Sequence, residues 1–517
     1  MAKQPSTPHV PPQDDGNGEH GSDMEVLAKG GRMNTMGFLV RLIARIPFLI
    51  IATRLYGEDA LGRFASAFIL IEIIGLVCSL GEKRGLAHRL REGGDDEPQA
   101  ETNLVYDGLL LALIYSAATV IVLLIFPAIM FPNGTNSPFD MWMLAAIPAY
   151  AITEILLAAQ AYRYDIATTV RARAVVEPWA ISIAAGVFFY IPETRDAGLT
   201  FAFILSVYAA LLTAAWPFLR TFGLPKGWAA NWRVLLKQSS RSLPLVGADA
   251  VERGTRLLDI FILGFFAGPP AVALYYVAQQ IATLPQKLKQ SFEPILSPVI
   301  TKNLKTKNYG VIASQVRQVG FWIIAVQLGI ALIIALPGEA VMGLWGPQYV
   351  AGTATLTFLL AAEVIASMAV VSESVLVYTA RKRNLLISLC VLALQAVLTV
   401  SLILLAQTYY KGEGFEAAAP AFALFIALGV SSLVKALLLK SLLGAPVNNW
   451  RWALIYATAP AVVVGWLTTY LPEWAELIIG VPLIAATYGL VIWKRGFGEE
   501  DRVLFKRKPA APKSNQV

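Results

Sequence analysis

Residues 242–266 read SLPLVGADAVERGTRLLDIFILGFF, a run long enough to cross a bilayer that nevertheless carries five charges: Asp249, Glu252, Arg253, Arg256 and Asp259. A hydrocarbon core about 30 Å thick needs roughly 20 residues of helix. An ionisable side chain at its centre costs about 2.5–3.5 kcal/mol on insertion scales, so it turns toward water or a partner. At about 100° per residue the five charges fall within an arc of roughly 120°, with Ala250, Leu257 and Phe261 on the apolar side. Such a helix cannot stand alone in lipid. Its charged side must look into an interior built by other helices.

Those helices are visible on both sides of the run. Apolar stretches centre near residues 45, 70, 116, 151, 182, 210, 255, 281, 327, 364, 396, 427, 462 and 484, each roughly 18 to 25 residues long. In lipid a backbone must satisfy its own hydrogen bonds, which makes these runs helices. Loop charge supplies the orientation. With the N-terminus inside, 33 of the 42 Lys and Arg fall on inner segments, among them Arg163, Arg171 and Arg173. Outer segments hold only Arg54, Arg63, Arg195 and Lys411. Cationic loops are the ones not translocated, so both termini are expected in the cytoplasm. The net charge of +7 then records topology and contact with an anionic leaflet, not nucleic-acid binding.

The expected class is an all-α polytopic membrane protein of about fourteen helices: two six-helix lobes in a V, plus two C-terminal helices. Residues 1–33 form a polar leader too long and too late for a cleaved signal peptide. Residues 34–220 form the first lobe, 221–241 a cytoplasmic linker with a surface helix, and 242–440 the second lobe. Spans 13 and 14 occupy 441–493, and 494–517 is a basic tail. A constant offset of 211 relates the lobes, matching Arg45 to Arg256, Gly57 to Gly268, Ala60 to Ala271, Phe64 to Tyr275 and Ala67 to Ala278. Spans one and seven run the same way, so the repeat is parallel, about an axis along the membrane normal.

Catalysis finds no support in the residues, and the chain is expected not to be an enzyme. The three histidines (His9, His20, His88) lie in the leader and one inner loop, and no nucleophile, metal-ligand or Walker A pattern occurs. Cys78 and Cys390 both fall within spans, which suggests no disulfide. The sequon at Asn133 reads as a chance match.

Charges inside the spans carry the function instead. Span one holds Arg41 and Arg45 one turn apart with no acid of its own, so spans one and seven together carry four arginines against three acids. A guanidinium stays charged at physiological pH and its fork fits a pair of phosphate oxygens. Arg41, Arg45, Arg253 and Arg256 are therefore expected to bind a phosphate or pyrophosphate, unless the two spans merely form an ion-pair ladder of Arg41 and Arg45 with Asp249 and Asp259. Asp249, Glu252 and Asp259, with Glu72, Glu363 and Glu373, are expected to gate the arginines or couple transport to H+ or Na+. Glu154 and Glu177 are weaker proton or sodium sites, and Gln279, Gln280, Gln327 and Gln395 are sugar donors or packing residues. No cofactor and no metal are expected.

Three stretches resemble a known family. They are the pattern from Arg41 through Gly57-Glu58-Asp59-Ala60-Leu61-Gly62-Arg63-Phe64, the run RLLDIFILGFFAGPPAVALYYVAQQIATLP at 256–285, and LWGPQYVAGTATLTFLLAA at 344–362. Together they look like the polysaccharide and O-antigen repeat-unit flippases of the multidrug/oligosaccharidyl-lipid/polysaccharide (MOP) exporter superfamily. The resemblance implies a V-shaped carrier whose cavity opens alternately to each side of a bacterial inner membrane. It implies a polyprenyl-pyrophosphate-linked oligosaccharide as cargo, contact with membrane lipids, and polymerase or glycosyltransferase machinery as partners. Two other readings stay open: a multidrug or cation antiporter of the same superfamily, and a membrane glycan polymerase or ligase.

Overall fold

Two tight corners organise the helices. Phe48 and Phe64 are sixteen residues apart, and a straight helix would separate them by about 24 Å. Their ring centroids stand 5.7 Å apart. The chain folds back at Gly57, whose φ of 82° closes a π-helical turn over Ala52–Tyr56 and suits a residue without Cβ. The stretch Ile43–Cys78 is thus a hairpin of α1 (residues 43–56) and α2 (Gly57–Cys78). A second corner lies 211 residues on, around Gly268, where the chain turns through an extended Ala267 without a π turn: Tyr275 donates to Asp259 at 2.9 Å, again across sixteen residues.

The computed structural model describes residues 43–92, 98–135, 137–290, 304 and 309–498, excluding the side chains of residues 83, 84, 88, 91, 92, 98, 99, 244, 245, 248–253, 256 and 286–290. Among the described residues the chain is helical, without strands. Beyond the first hairpin come the short α3 (Glu82–Glu92), α4 (Pro98–Ile125), α5 (Ala146–Tyr162), α6 (Ile166–Tyr190) and α7 (Gly198–Thr221). The second half contains α8 (Trp232–Phe266), α9 (Pro269–Gln290), α10 (Tyr309–Ala335), α11 (Thr353–Thr379), α12 (Arg381–Tyr409) and α13 (Glu413–Leu443). Last come α14 (Ala453–Thr468) and α15 (Glu473–Gly496). Every expected span centre falls in its own helix. Among the described residues ten stretches are long and apolar enough to cross a membrane, and the chain is a multi-pass membrane protein.

Packing separates two lobes. Helices α2, α4, α5, α6 and α7 pack on one another, as do α8 through α13. The last pair packs on α10: Tyr488 donates to the carbonyl of Ala325 at 2.7 Å, and Gly329 leaves room for its ring. Between lobes, α2 lies against α8 and α9.

The linker departs from expectation. No separate surface helix forms at its end, because Trp232 starts a 35-residue helix that runs straight into span seven. Its earlier part is tied to α4 by Thr102 to Phe222 O (2.9 Å), Tyr106 to Gly223 O (3.2 Å) and Trp228 to Asp107 (2.8 Å). Nearby, Arg89 pairs with the buried Glu82 of α3. Burial pulls this guanidinium down to about 10, against the opposing pull of Asp107, so it remains cationic at neutral pH.

At the corner end the lobes are closed. Arg63 of α2 donates to the carbonyls of Asn133 and Gly134, and the Asn133 amide donates across to Gly264 O (3.1 Å) and Ala267 O (3.0 Å) of the second lobe. Arg54 reaches Leu344 O at 2.9 Å. A sugar on Asn133 would compete with this contact. Closest of all, a Cβ built on Gly62 would lie 1.9 Å from the carbonyl oxygen of Pro269. Gly62→Ala should therefore part the lobes here. In a Cys390→Ser background, a cysteine at Ser66, which faces Gly264, should react several-fold faster with an impermeant maleimide in G62A than with Gly62 retained. Equal rates at equal protein levels would show that this contact does not hold the end shut.

Candidate functional site

Where a helix points its arginine can be read from its neighbours. In α1, Ala44, Phe48, Leu49 and Ala52 are buried, whereas Ile43, Ile46 and Ile50 are exposed. The buried four span an arc of roughly 140°, and Arg45 lies within it. Arg45 is half-buried, and among the described residues it makes no ion pair within 4 Å. The guanidinium thus lies on the interior side of α1. Arg41 lies outside the described residues.

Opposite this position the second lobe presents Tyr276 of α9. Both Arg45 and Glu72 of α2 act electrostatically on its hydroxyl. Its ring stands edge-on to Phe68 of α2, with centroids 6.2 Å apart. Arg45 of α1 and Glu72 of α2 are thus both within electrostatic reach of Tyr276, which lies where α2 meets α9.

The backbone of Asp249, Glu252, Arg253 and Arg256 is helical, and their side chains lie outside the described residues. Asp259 is fully buried and accepts from Tyr275 (2.9 Å), Gln395 (2.6 Å) and Thr399 (3.5 Å). Gln395 also donates to Thr255 O at 3.0 Å, so this group ties α8 to α9 and α12 within the second lobe. Neutral donors can stabilise a carboxylate in a dry interior when they are fixed by packing. Gln327 likewise spends its amide on Pro285 O (2.6 Å), a packing role.

The remaining carboxylates have separate surroundings. Glu363 is buried in α11, while Glu373, two to three turns on, is half-exposed and pairs at 3.0 Å with the buried Lys435 of α13. Sequence reasoning passed over Lys435, although a lysine in an otherwise apolar run (SSLVKALLL, residues 431–439) was the available signal. It also assigned Arg173 to an inner loop. The structure places Arg173 inside α6, buried, with its Nη2 2.5 Å from Glu154 and its Nη1 2.7 Å from Glu177. Tyr150 lies beneath the guanidinium at 4.4 Å. Two arginines two residues apart in a loop put only one on any given helix face, and that spacing was the missed clue.

Among the described residues no group of three or more His, Cys, Asp or Glu is arranged for a metal ion. Asp259→Ala would strand the Tyr275 hydroxyl and the Gln395 amide. An unmet buried partner costs about 1–3 kcal/mol, so the variant should unfold several degrees earlier in detergent, and Asp259→Asn should lose less. An unshifted melting curve for the alanine variant would remove the anchoring role.

No protein-family model and no curated protein matches the chain. Among solved structures it is similar to the lipid II flippase MurJ in an inward closed conformation, with a TM-score of 0.70 at 10% identity over 89% of this chain and 98% of that one. A multidrug resistance MATE family transporter of the MOP superfamily, in an inward-facing conformation, gives 0.62 at 17% identity over 78% and 98%. A MOP superfamily transporter from Pyrococcus furiosus, described as having a binding pocket of reverse polarity, gives 0.55 at 16% identity over 81% and 96%. At these identities the likeness concerns architecture: the chain has the two-lobed helical fold of MOP superfamily transporters.

Proposed function

We propose that this protein is a flippase that carries a polyprenyl-pyrophosphate-linked oligosaccharide from the inner to the outer leaflet of a bacterial inner membrane, for assembly of cell-surface polysaccharide or lipopolysaccharide. One observation carries the reading: Arg45 lies on the interior side of α1, half-buried, beside the seam between the lobes. Placing a guanidinium there is costly unless an anion is to be met. The 211-residue repeat puts Arg256 at the equivalent point of α8, so the two lobes offer a cation each to a pyrophosphate bound between them. Arg41 and Arg253 extend the pair along the same helices. Asp249, Glu252 and Glu72 compete for these cations when the cargo is absent, and Glu363 and Glu373 are further coupling groups for H+ or Na+. Asp259 anchors α8 for this task.

Both termini lie in the cytoplasm in this reading, and the closed corner end faces outward. The cavity then opens inward, toward the leaflet where the lipid-linked sugar is made. Polymerases or glycosyltransferases would work beside it. The lipid II flippase likeness supports a lipid-linked cargo. A multidrug antiporter would be better served by an acidic cavity.

In proteoliposomes loaded with a fluorescent polyprenyl-pyrophosphate sugar, Arg45→Ala and Arg256→Ala should each slow transfer. A charge-assisted hydrogen bond is worth about 1.5–3 kcal/mol, which is roughly ten- to hundredfold. Arg45→Lys should retain part of the rate, because it keeps the charge and loses the fork. Unchanged transfer in both alanine variants, or a change in drug tolerance alone, would overturn the assignment.

A further inference from the structure

Helix α8 is bonded to both lobes. Its last turns belong to the second, where Gln395 of α12 donates to Thr255 O at 3.0 Å and to Asp259 at 2.6 Å. Its first turns rest on the first lobe. Leu235 and Val246 are buried against Leu80 and Leu111, with Leu110 beside them. Gln238, also buried, donates to Glu82 of α3 at 3.4 Å, and Ser239 shares a hydrogen bond of 2.6 Å with Tyr115 of α4.

These contacts decide which way the helix is turned. At about 100° per residue, Leu235, Gln238, Ser239, Ser242 and Val246 fall within an arc of roughly 100°. Ser242 is buried as well. The other side, with Arg233, Lys237 and Gly247, is exposed. Carried forward along the same unbroken helix, the register puts positions 249, 253 and 256 in that arc too. Asp259 falls about 60° outside it, on the side where Gln395 and Thr399 of the second lobe bind it.

We infer that Glu82, Tyr115, Gln238 and Ser239 are positioning residues: by seating the start of α8 on the first lobe, they turn the face that carries Arg253 and Arg256 toward the lobe that carries Arg45. The apolar pair alone would not do this. Burial of Leu235 and Val246 is non-directional and tolerates a roll of the helix. A hydrogen bond weakens steeply once bent. Gln238 and Ser239 stand at the two edges of the arc, so a roll in either direction bends at least one of their bonds. Glu82 is itself held by Arg89 of the same short helix. The orientation stands whatever the cargo is, and its use for a pyrophosphate rests on the function proposed above.

The test uses the full chain in lipid nanodiscs without cargo, in a Cys390→Ser background. One nitroxide goes at Gly247, where a Cβ meets nothing within 4 Å, and one at Leu113, exposed on α4. Their distance distribution should be narrow, and in the double variant Gln238→Leu with Tyr115→Phe it should broaden or move by several ångström. Ser239→Ala should do so in part, whereas Ser239→Thr, which keeps the hydroxyl, should not. In proteoliposomes with the fluorescent polyprenyl-pyrophosphate sugar, the double variant should raise the half-saturating concentration about tenfold, the low end for losing one charge-assisted contact, and leave the maximal rate nearly unchanged. An unmoved distance in the double variant overturns the inference. A moved distance with unaltered cargo dependence upholds it and overturns the pyrophosphate assignment. If the double variant does not fold, the contrast between Ser239→Ala and Ser239→Thr decides, and equal distances in the two overturn the inference.

Discussion

A guanidinium in a bilayer has nowhere to go but inward, and that constraint shapes the architecture around Arg45 and Arg173. Hydrocarbon solvates neither charge nor unpaired backbone. The backbone penalty makes the chain helical, and the charge penalty sorts each helix into a face for lipid and a face for protein. In α1 the sorting is visible residue by residue, with Ile43, Ile46 and Ile50 outward and Phe48, Leu49 and Ala52 inward. Arg45 takes the inward side. Arg173 is satisfied within its lobe by Glu154 and Glu177, whereas Arg45 sits at the seam between lobes. The same chemistry therefore serves cohesion inside a lobe in one place and stands between the lobes in the other.

Much of the layout could be read from the chain because hydropathy and loop charge are properties of single residues in order. The helices at each expected centre needed no knowledge of tertiary contacts. The repeat matched Gly57 to Gly268, and a turn between two helices stands at each of them. Other features required distances that sequence does not contain. Arg173 looked like a loop cation because the turn from α5 to α6 is only three residues long, shorter than the apolar pattern suggested. The continuity of α8 through Trp232–Arg241 was hidden by the basic character of that segment, which suits a surface helix as well as a projecting one. Nor does any pattern in the chain announce that Gln395 and Thr399 converge on Asp259, for they meet across about 140 residues.

The closed end also shows how little chemistry is needed to join two lobes. Arg54, Arg63 and Asn133 all bond to main-chain carbonyls, and Gly62 meets Pro269 through backbone alone. Carbonyl acceptors do not titrate, so this closure is indifferent to protonation. Any sensitivity to ions must enter elsewhere in the molecule.

One substitution between the halves has a mechanical meaning. The offset of 211 carries Phe48 onto Asp259 and Phe64 onto Tyr275, so a ring-on-ring contact in one hairpin becomes a hydroxyl–carboxylate bond in the other. Aromatic faces can slide by fractions of an ångström at small cost. A hydrogen bond is directional and weakens steeply once bent. The leading hairpin is accordingly lubricated and the trailing one is pinned, which makes the two hairpins unequal springs: under a common load the first yields while the second keeps its shape.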